Sequence, residues 1–107
     1  MSARMNFDFN RYAAAFTPSD HGIRRVPRIT CADGLSLSVQ ASEYNYCAPR
    51  YSGLDFYYEV EVGFPSARID ELMPYAESPD DPTGTVYGYV PVDIVNQVVN
   101  AHGGLKA

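Results

Sequence analysis

The pattern of apolar and polar residues changes near residue 26. Residues 1–25 show no regular period and predict an arm, with a short helix over residues 10–16 that the following Thr17-Pro18 pair would end. Residues 26–107 carry regular patterns and predict a single domain. The sequence leaves open whether the arm packs on this domain or stays mobile.

The start of the domain has the pattern of a β-hairpin. Apolar and polar residues alternate on both sides of a turn formed by Ala32, Asp33 and Gly34, and the Asp-Gly pair is a strong hairpin signal. Residues 28–31 and 35–41 are therefore predicted strands that share one apolar face. Two strands alone are marginal in water, so the hairpin requires a further strand.

The strongest strand pattern covers residues 55–64, with the sequence DFYYEVEVGF. Alternation predicts one buried set of residues, Phe56, Tyr58, Val60, Val62 and Phe64. It predicts one solvent-facing set, Asp55, Tyr57, Glu59 and Glu61. The expected sheet is antiparallel, with one face buried and one acidic face in the solvent.

A short helix and a loop are predicted after this strand. Residues 67–73 have a helical composition, and we expect the helix to end before Pro74 because proline interrupts a helix. Residues 75–84, YAESPDDPTG, combine acids, prolines and a glycine and predict an exposed loop.

A fourth strand and a C-terminal helix complete the domain. Residues 85–90 are the strand candidate, and a regular strand would place Tyr87 and Tyr89 on one face. Residues 91–102 predict an amphipathic helix that the pair beginning at Gly103 would end. Such an apolar helix has to cover the inner face of the sheet.

The predicted fold class is therefore α+β. It consists of an antiparallel sheet of about four strands, a C-terminal helix packed on one face and a short helix between strands. The chain of 107 residues is long enough for one hydrophobic core.

The net charge of −5 is distributed unevenly along the chain. Residues 1–28 hold five arginines and two aspartates, a net charge of +3, whereas residues 51–100 hold one arginine and nine acids, a net charge of −8. An acidic body of this kind repels nucleic acid and attracts basic protein surfaces, including those that normally bind nucleic acid. We therefore expect no direct nucleic-acid partner.

Candidate chemistry for an enzyme or a metal site is sparse. Two cysteines and two histidines could supply zinc ligands, but they lack the short paired spacings of structural zinc sites. They are Cys31, Cys47, His21 and His102. A nucleophilic Cys47 would need a histidine as its base, and the sequence identifies none. The expectation is a protein without catalytic residues, metal or cofactor, and not an enzyme.

The tyrosines point to recognition. The chain has nine of them and no tryptophan, and the stretch of residues 42–50, SEYNYCAPR, combines tyrosine with asparagine and arginine without any apolar period. This composition is typical of protein-binding surfaces. The candidate partner-binding residues in and just after this stretch are Tyr44, Asn45, Tyr46, Arg50 and Tyr51. Those on the predicted acidic face and loop are Asp55, Tyr57, Glu59, Glu61, Glu77, Asp80 and Asp81.

Structural roles for the same tyrosines stay open. Tyr44 and Tyr46 could plug the open end of the hairpin, and Tyr87 or Tyr89 could be an ordinary core or sheet residue. Stacking of nucleic-acid bases on the tyrosines would need more basic residues than Arg50 supplies. Protein recognition fits the composition better.

Three segments of the sequence resemble segments of known proteins. They are ITCADGLSLSVQASEYNYCAPR, EVGFPSARIDELMPYAE and TVYGYVPVDIVNQVVNAHGG. Through them, residues 28–104 resemble small uncharacterised proteins encoded by tailed phages and prophages of proteobacteria, and residues 1–27 look like an added leader. The resemblance implies no catalytic residue. It implies accessory proteins that act in host takeover or against host defence, as anti-CRISPR proteins do.

These observations together predict an acidic phage-derived protein that inhibits a defence factor in the cytoplasm of the bacterial host. The expected partner is a host protein or nucleoprotein complex, in first place a Cas effector subunit whose basic nucleic-acid-binding surface it covers. The alternative is a phage structural or assembly protein, or a homodimer, whose apolar helix and tyrosine-rich strand form the self-interface. No membrane partner is expected, because no stretch has the roughly 18 to 20 apolar residues of a membrane helix.

Overall fold

A four-stranded antiparallel sheet forms the centre of the structure. The computed structural model describes residues 6–19 and 22–107. The strands lie side by side in the order in which they follow along the chain. Their bounds are Ile29–Thr30 (β1), Ser36–Gln40 (β2), Glu59–Gly63 (β3) and Val86–Pro91 (β4). The predicted α+β class, with its sheet of four strands, is confirmed.

The hairpin of β1 and β2 forms at the predicted turn. Ile29 lies opposite Leu37, and both side chains are fully buried. Gly34 has a φ angle of 97°, which glycine adopts without strain. The carboxylate of Asp33 accepts the backbone N–H of Leu35 at 3.0 Å and closes the turn. The Asp-Gly signal therefore identified the turn correctly.

The strand β3 begins four residues later than predicted, and the residues before it face the opposite way. Tyr57 is only 4% exposed, whereas Phe56 and Tyr58 are 55% and 67% exposed. The prediction is wrong here because this segment does not lie in the sheet. The backbone N–H and C=O of Tyr57 pair with the side chain of Asn10, at 2.8 and 3.0 Å, instead of with a strand.

Two further aromatic residues do not follow the predicted alternation of buried and exposed positions. Both have positive φ angles, 49° at Phe64 and 54° at Tyr89. Phe64 is 50% exposed although the pattern predicted it buried. In β4, Tyr87 is fully buried and Tyr89 is 45% exposed, so the two tyrosines do not share a face. The reason is a bulge: between paired positions β3 advances by two residues and β4 by three.

The C-terminal helix α2, Val92–Ala101, covers one face of the sheet as predicted. Its buried residues are Val92, Val95, Val98 and Val99. They pack with the inner residues of β2, β3 and β4 in one hydrophobic core. Gly103 and Gly104 follow the helix with positive φ angles and end it. Among residues 6–19 and 22–107, no helix has the length and apolar character needed to cross a bilayer.

The short helix between β3 and β4 is a 3₁₀ helix, Asp70–Tyr75. It contains Pro74, so the predicted end before this proline is wrong. A proline ring clashes with the carbonyl four residues earlier in an α-helix, but a 3₁₀ helix makes no hydrogen bond to that carbonyl. Leu72, which is fully buried, fixes this helix to the core.

The described part of the arm packs against the domain. Its helix α1, Phe9–Ala13, is shorter than the predicted one, and both Phe7 and Phe9 belong to the hydrophobic core. Asn96 of α2 accepts the backbone N–H of Phe9 at 2.9 Å. Asn100, one turn later, accepts that of Phe7 at 2.8 Å. The side chains of two asparagines on α2 thus accept backbone N–H groups of the arm, as the carbonyls of a neighbouring strand would.

Other segments of the chain cover both edges of the sheet. The C-terminal tail pairs with the β1 edge through a bridge between Cys31 and Leu105. Lys106 adds a hydrogen bond from its N–H to the carbonyl of Thr30. At the other edge, Ala76 forms a bridge with β4. The edges are therefore partly closed against the addition of a strand from another molecule.

Candidate protein-binding surface

The tyrosine loop, defined as residues 42–51, is held across the outer face of the sheet by one carboxylate. Glu61 lies on β3 between buried valines and so points away from α2. One of its oxygens accepts the Nδ2–H of Asn45 and the other accepts the backbone N–H of Tyr46, both at 3.0 Å. A bridge between Ala48 and the first residue of β3 adds a second attachment. The loop is therefore an ordered part of the fold.

The interior of the tyrosine loop is buried. Ser42 and Cys47 are 2% and 1% exposed. The hydroxyl of Ser42 donates to Oδ1 of Asn45 at 2.6 Å, and the thiol of Cys47 donates to the carbonyl of Ser42 at 3.2 Å. Burial raises the pKa of the Cys47 thiol, which disfavours the nucleophilic thiolate. This geometry favours a packing role for Cys47.

The ring of Tyr46 lies beside two neighbours at the surface. Its ring centroid lies 5.9 Å from that of Tyr89, and Cζ of Arg50 lies 5.2 Å from the same Tyr46 centroid. The backbone N–H of Tyr89 donates to the carbonyl of Tyr46 at 2.9 Å. Gly88 makes room for the ring, since a Cβ there would lie 3.1 Å from Cβ of Tyr46. The tyrosine loop and β4 thus form one continuous surface.

Two of the predicted partner-binding tyrosines are highly exposed, and a third is buried. Tyr44 and Tyr51 are 72% and 68% exposed. Tyr57 was predicted on the solvent face, which is wrong: it is buried, and burial raises the pKa of its hydroxyl. That hydroxyl donates to the carbonyl of Tyr51 at 2.6 Å and accepts the N–H of Leu54 at 3.2 Å. Tyr57 positions the end of the tyrosine loop from inside the fold.

The predicted acidic residues divide into exposed and engaged carboxylates. The exposed ones are Asp55, Glu77, Asp80 and Asp81. Glu59 and Glu61 are half-buried, and the donors of the tyrosine loop occupy the carboxylate of Glu61. The acidic loop after the 3₁₀ helix is ordered as well, because the hydroxyl of the buried Tyr87 donates to the carbonyl of Pro82. An oxygen of Asp55 lies 4.0 Å from the guanidinium of Arg24, so the negative charge available to a partner comes mainly from Glu77, Asp80 and Asp81.

The sequence pattern missed an exposed aromatic pair beside the tyrosine loop. The rings of Phe56 and Tyr58 meet edge to face, with centroids 5.0 Å apart. Tyr58 is joined to the loop, because its N–H donates to the carbonyl of Ala48 at 2.8 Å. No local signal marks these two residues as exposed, since they continue the alternation of β3 without a break. The exposure of Tyr89 was not predicted either, because it depends on the bulge between β3 and β4.

The described histidine and cysteine residues form no metal site. Within residues 6–19 and 22–107, no three His, Cys, Asp or Glu side chains lie close enough to hold a metal ion. Cys31 is fully buried, and burial raises the pKa of its thiol. Nδ1 of His102 pairs with the carboxylate of Asp33 at 2.5 Å, between the end of α2 and the β1–β2 turn. His21 lies outside the described residues.

Comparison with known proteins identifies no relative of this chain. No protein-family model matches it. Neither the curated proteins nor the solved structures give a significant match.

Proposed function

We propose that the protein is an acidic binding protein of phage origin that inhibits a host defence factor, in first place a Cas effector, by covering a basic surface that binds nucleic acid. The observation that carries this proposal is the tyrosine loop, which is bound to Glu61 yet leaves Tyr44 and Tyr51 72% and 68% exposed. Exposed aromatic side chains on a fixed backbone lose little entropy on binding.

The charge of the surroundings indicates the kind of partner. Asp55 lies four residues beyond Tyr51, and its side chain is 98% exposed. Asp80 and Asp81 add charge on the acidic loop, in a body that is strongly negative overall. Exposed carboxylates on an acidic body steer encounters toward a positive surface and raise the association rate, although Arg24 and Arg25 lie beside Tyr44. A nucleic-acid channel lined by arginine and lysine has that charge, and the resemblance to phage accessory proteins supports the same choice.

The self-assembly alternative is favoured by one observation, the exposed Phe56–Tyr58 pair. The apolar face of α2, which was expected to contribute to a self-interface, is buried in the core of the same chain. Light scattering distinguishes the two functions. A molar mass that rises to a dimer with concentration, and falls back in a Phe56→Ala/Tyr58→Ala variant, would favour assembly.

The proposal can be tested with purified Cas effectors of different types, each loaded with guide RNA. We expect tight binding to one effector that target DNA prevents, and affinity that falls as salt rises because surface charges are screened. A Tyr44→Ala/Tyr51→Ala variant should lose at least about tenfold in affinity, which is 1.4 kcal/mol. Tyr46 is left unchanged, because it also packs on Gly88.

A phage challenge then measures inhibition in cells. Expression of the protein should restore plaque formation by a targeted phage in a strain that carries the bound effector, and the double variant should not. A Glu71→Gln variant, which removes an exposed acid from the 3₁₀ helix, serves as the control and should act as the wild type does. Failure to bind or inhibit any effector in the panel would refute the assignment to Cas effectors.

A further inference from the structure

An open pocket of about 320 Å³ lies where the tyrosine loop meets β4. Its lining residues are Tyr46, Tyr75, Glu77, Gly88 and Tyr89. Three tyrosines and one glutamate thus line this open pocket. No basic side chain lines it, although the Arg50 guanidinium lies nearby over the Tyr46 ring.

Separate segments of the chain hold the walls of this pocket. Tyr46 is fixed through the bond of its N–H to Glu61. Tyr89 turns outward at the β4 bulge. Tyr75 ends the 3₁₀ helix and packs against the core, and Glu77 is bound to β4 through its N–H and the carbonyl of Val86 at 3.0 Å. The backbone positions of the lining residues are therefore held by the fold of the chain itself.

We propose that this pocket takes the side chain of an arginine from the partner. The faces of aromatic rings attract cations, and the Glu77 carboxylate adds a full negative charge at the same place. A guanidinium is planar, stacks on aromatic faces and donates to a carboxylate, whereas an ammonium is compact and more strongly hydrated. The guanidinium of Arg50 already lies over Tyr46, which shows that this ring accepts a guanidinium and also places a positive charge beside the pocket.

This inference rests on the proposed binding of a basic surface, and it names the chemical group that the surface presents. Glu77 is followed, three and four residues later, by the exposed Asp80 and Asp81, so the segment that lines the pocket is negatively charged. An arginine that normally contacts a nucleic-acid phosphate would find here both a carboxylate and aromatic faces. Its occupation of the pocket would remove it from the nucleic-acid site.

The probe for the test is N-acetyl-arginine amide, titrated into the full-length protein and followed by NMR. We expect shifts at the rings of Tyr46, Tyr75 and Tyr89 and at the amide of Gly88, with a dissociation constant on the order of 10 mM. The corresponding citrulline derivative has nearly the same shape without the charge and should not shift them. The lysine derivative, at equal ionic strength, should cause smaller shifts.

A matched pair of variants tests the role of the carboxylate. Glu77→Gln should lower the affinity for the probe about threefold. Glu71 is an exposed acid that does not line the pocket, so Glu71→Gln should leave this affinity unchanged. Equal unfolding midpoints of the two variants show that the fold is intact. Shifts elsewhere or no shifts, equal shifts from citrulline or lysine, or an unchanged affinity in Glu77→Gln would each overturn the arginine pocket.

The result of the probe titration can be separated from the result of the effector-binding test. If an effector is bound and inhibited while the probe leaves the pocket resonances unmoved, the inhibitor function stands without this pocket. If the probe binds as expected but no effector is bound, the arginine pocket stands and its partner belongs to another class of basic protein.

Discussion

Glu61 shows how one charged residue can organise a recognition loop. Two donors point at its carboxylate, the Nδ2–H of Asn45 and the backbone N–H of Tyr46. A carboxylate offers an acceptor oxygen to each donor. Although Glu61 is one of the acids in an acidic body, its charge is used inside the molecule to fix the loop.

Replacing Glu61 by glutamine is therefore expected to loosen the tyrosine loop. Glutamine offers only one acceptor oxygen, so one donor would face its NH₂ group, at a cost of about 1–2 kcal/mol in free energy of unfolding or of local opening. Amide hydrogen exchange should show faster exchange at Tyr46. Glu59→Gln is the matched control, since it removes the same charge from the same strand face without touching these bonds. Equal exchange rates in both variants would contradict this role.

A second residue-scale prediction concerns Asn10, which is 8% exposed. Its amide accepts the N–H of Tyr57 and donates to the carbonyl of the same residue. Asn10→Ala would leave both buried backbone groups without a partner, so we expect a loss of about 2–3 kcal/mol in free energy of unfolding. Urea unfolding measures it, with the exposed Asn6→Ala as a control. A loss no larger than that of the control would show that water replaces both bonds.

At the scale of elements, the arm and α2 form one packing unit. Asn96 also donates through Nδ2 to the carboxylate of Asp8, the residue that caps α1. Asn100 both accepts from and donates to the backbone of Phe7. These bonds align α1 so that Phe9, only 1% exposed, enters the core. The helix is too short to be stable alone and depends on this contact.

Phe9→Ala is expected to destabilise the whole domain. Loss of a buried phenylalanine typically costs about 3–5 kcal/mol, because a cavity remains in addition to the lost burial. Phe56→Ala removes the same side chain from a position that is 55% exposed and should cost much less. Thermal or urea unfolding of both variants gives the comparison. Similar losses would mean that α1 contributes little to the core.

At the scale of the whole molecule, the C-terminal segment packs back onto the hairpin of β1 and β2. The tail covers β1, and the Asp33–His102 pair joins the β1–β2 turn to the end of α2. The backbone N–H of Leu35 and the side chain of His102 both stabilise the ionised carboxylate, and they lower the pKa of Asp33 below its usual value. The turn and the helix end are thus linked through a titratable group.

This linkage predicts a dependence of stability on pH. Because the pKa of Asp33 is lower in the folded than in the unfolded chain, its contribution is complete above the unfolded pKa of about 3.9. It is lost as the pH falls through the lower folded pKa. The difference in unfolding midpoint between the wild type and Asp33→Asn should therefore shrink from about pH 6 to about pH 3. A difference that stays constant over this range would argue against the linkage.

The candidate site was only partly predictable from the sequence. Tyr44, Tyr46, Arg50 and Tyr51 were recognised by composition, and the structure leaves Tyr44 and Tyr51 widely exposed. The role of Glu61 was not predictable, because it depends on donors 15 and 16 residues earlier in the chain. The exposure of Tyr89 depends on a bulge whose register is set by β3. A pocket made from distant segments leaves no signal in any one of them.

The sequence by itself determined the fold class, the β1–β2 turn and the helix that covers the sheet, because each depends on a local property: alternation, the Asp-Gly pair, or a helical stripe of valines. Only the tertiary structure decided the faces of Tyr57 and Tyr89. Both orientations result from pairings between distant residues, Asn10 with Tyr57 and β3 with β4. Where backbone groups are satisfied outside a regular ladder, the alternation of side chains no longer reports which face is buried.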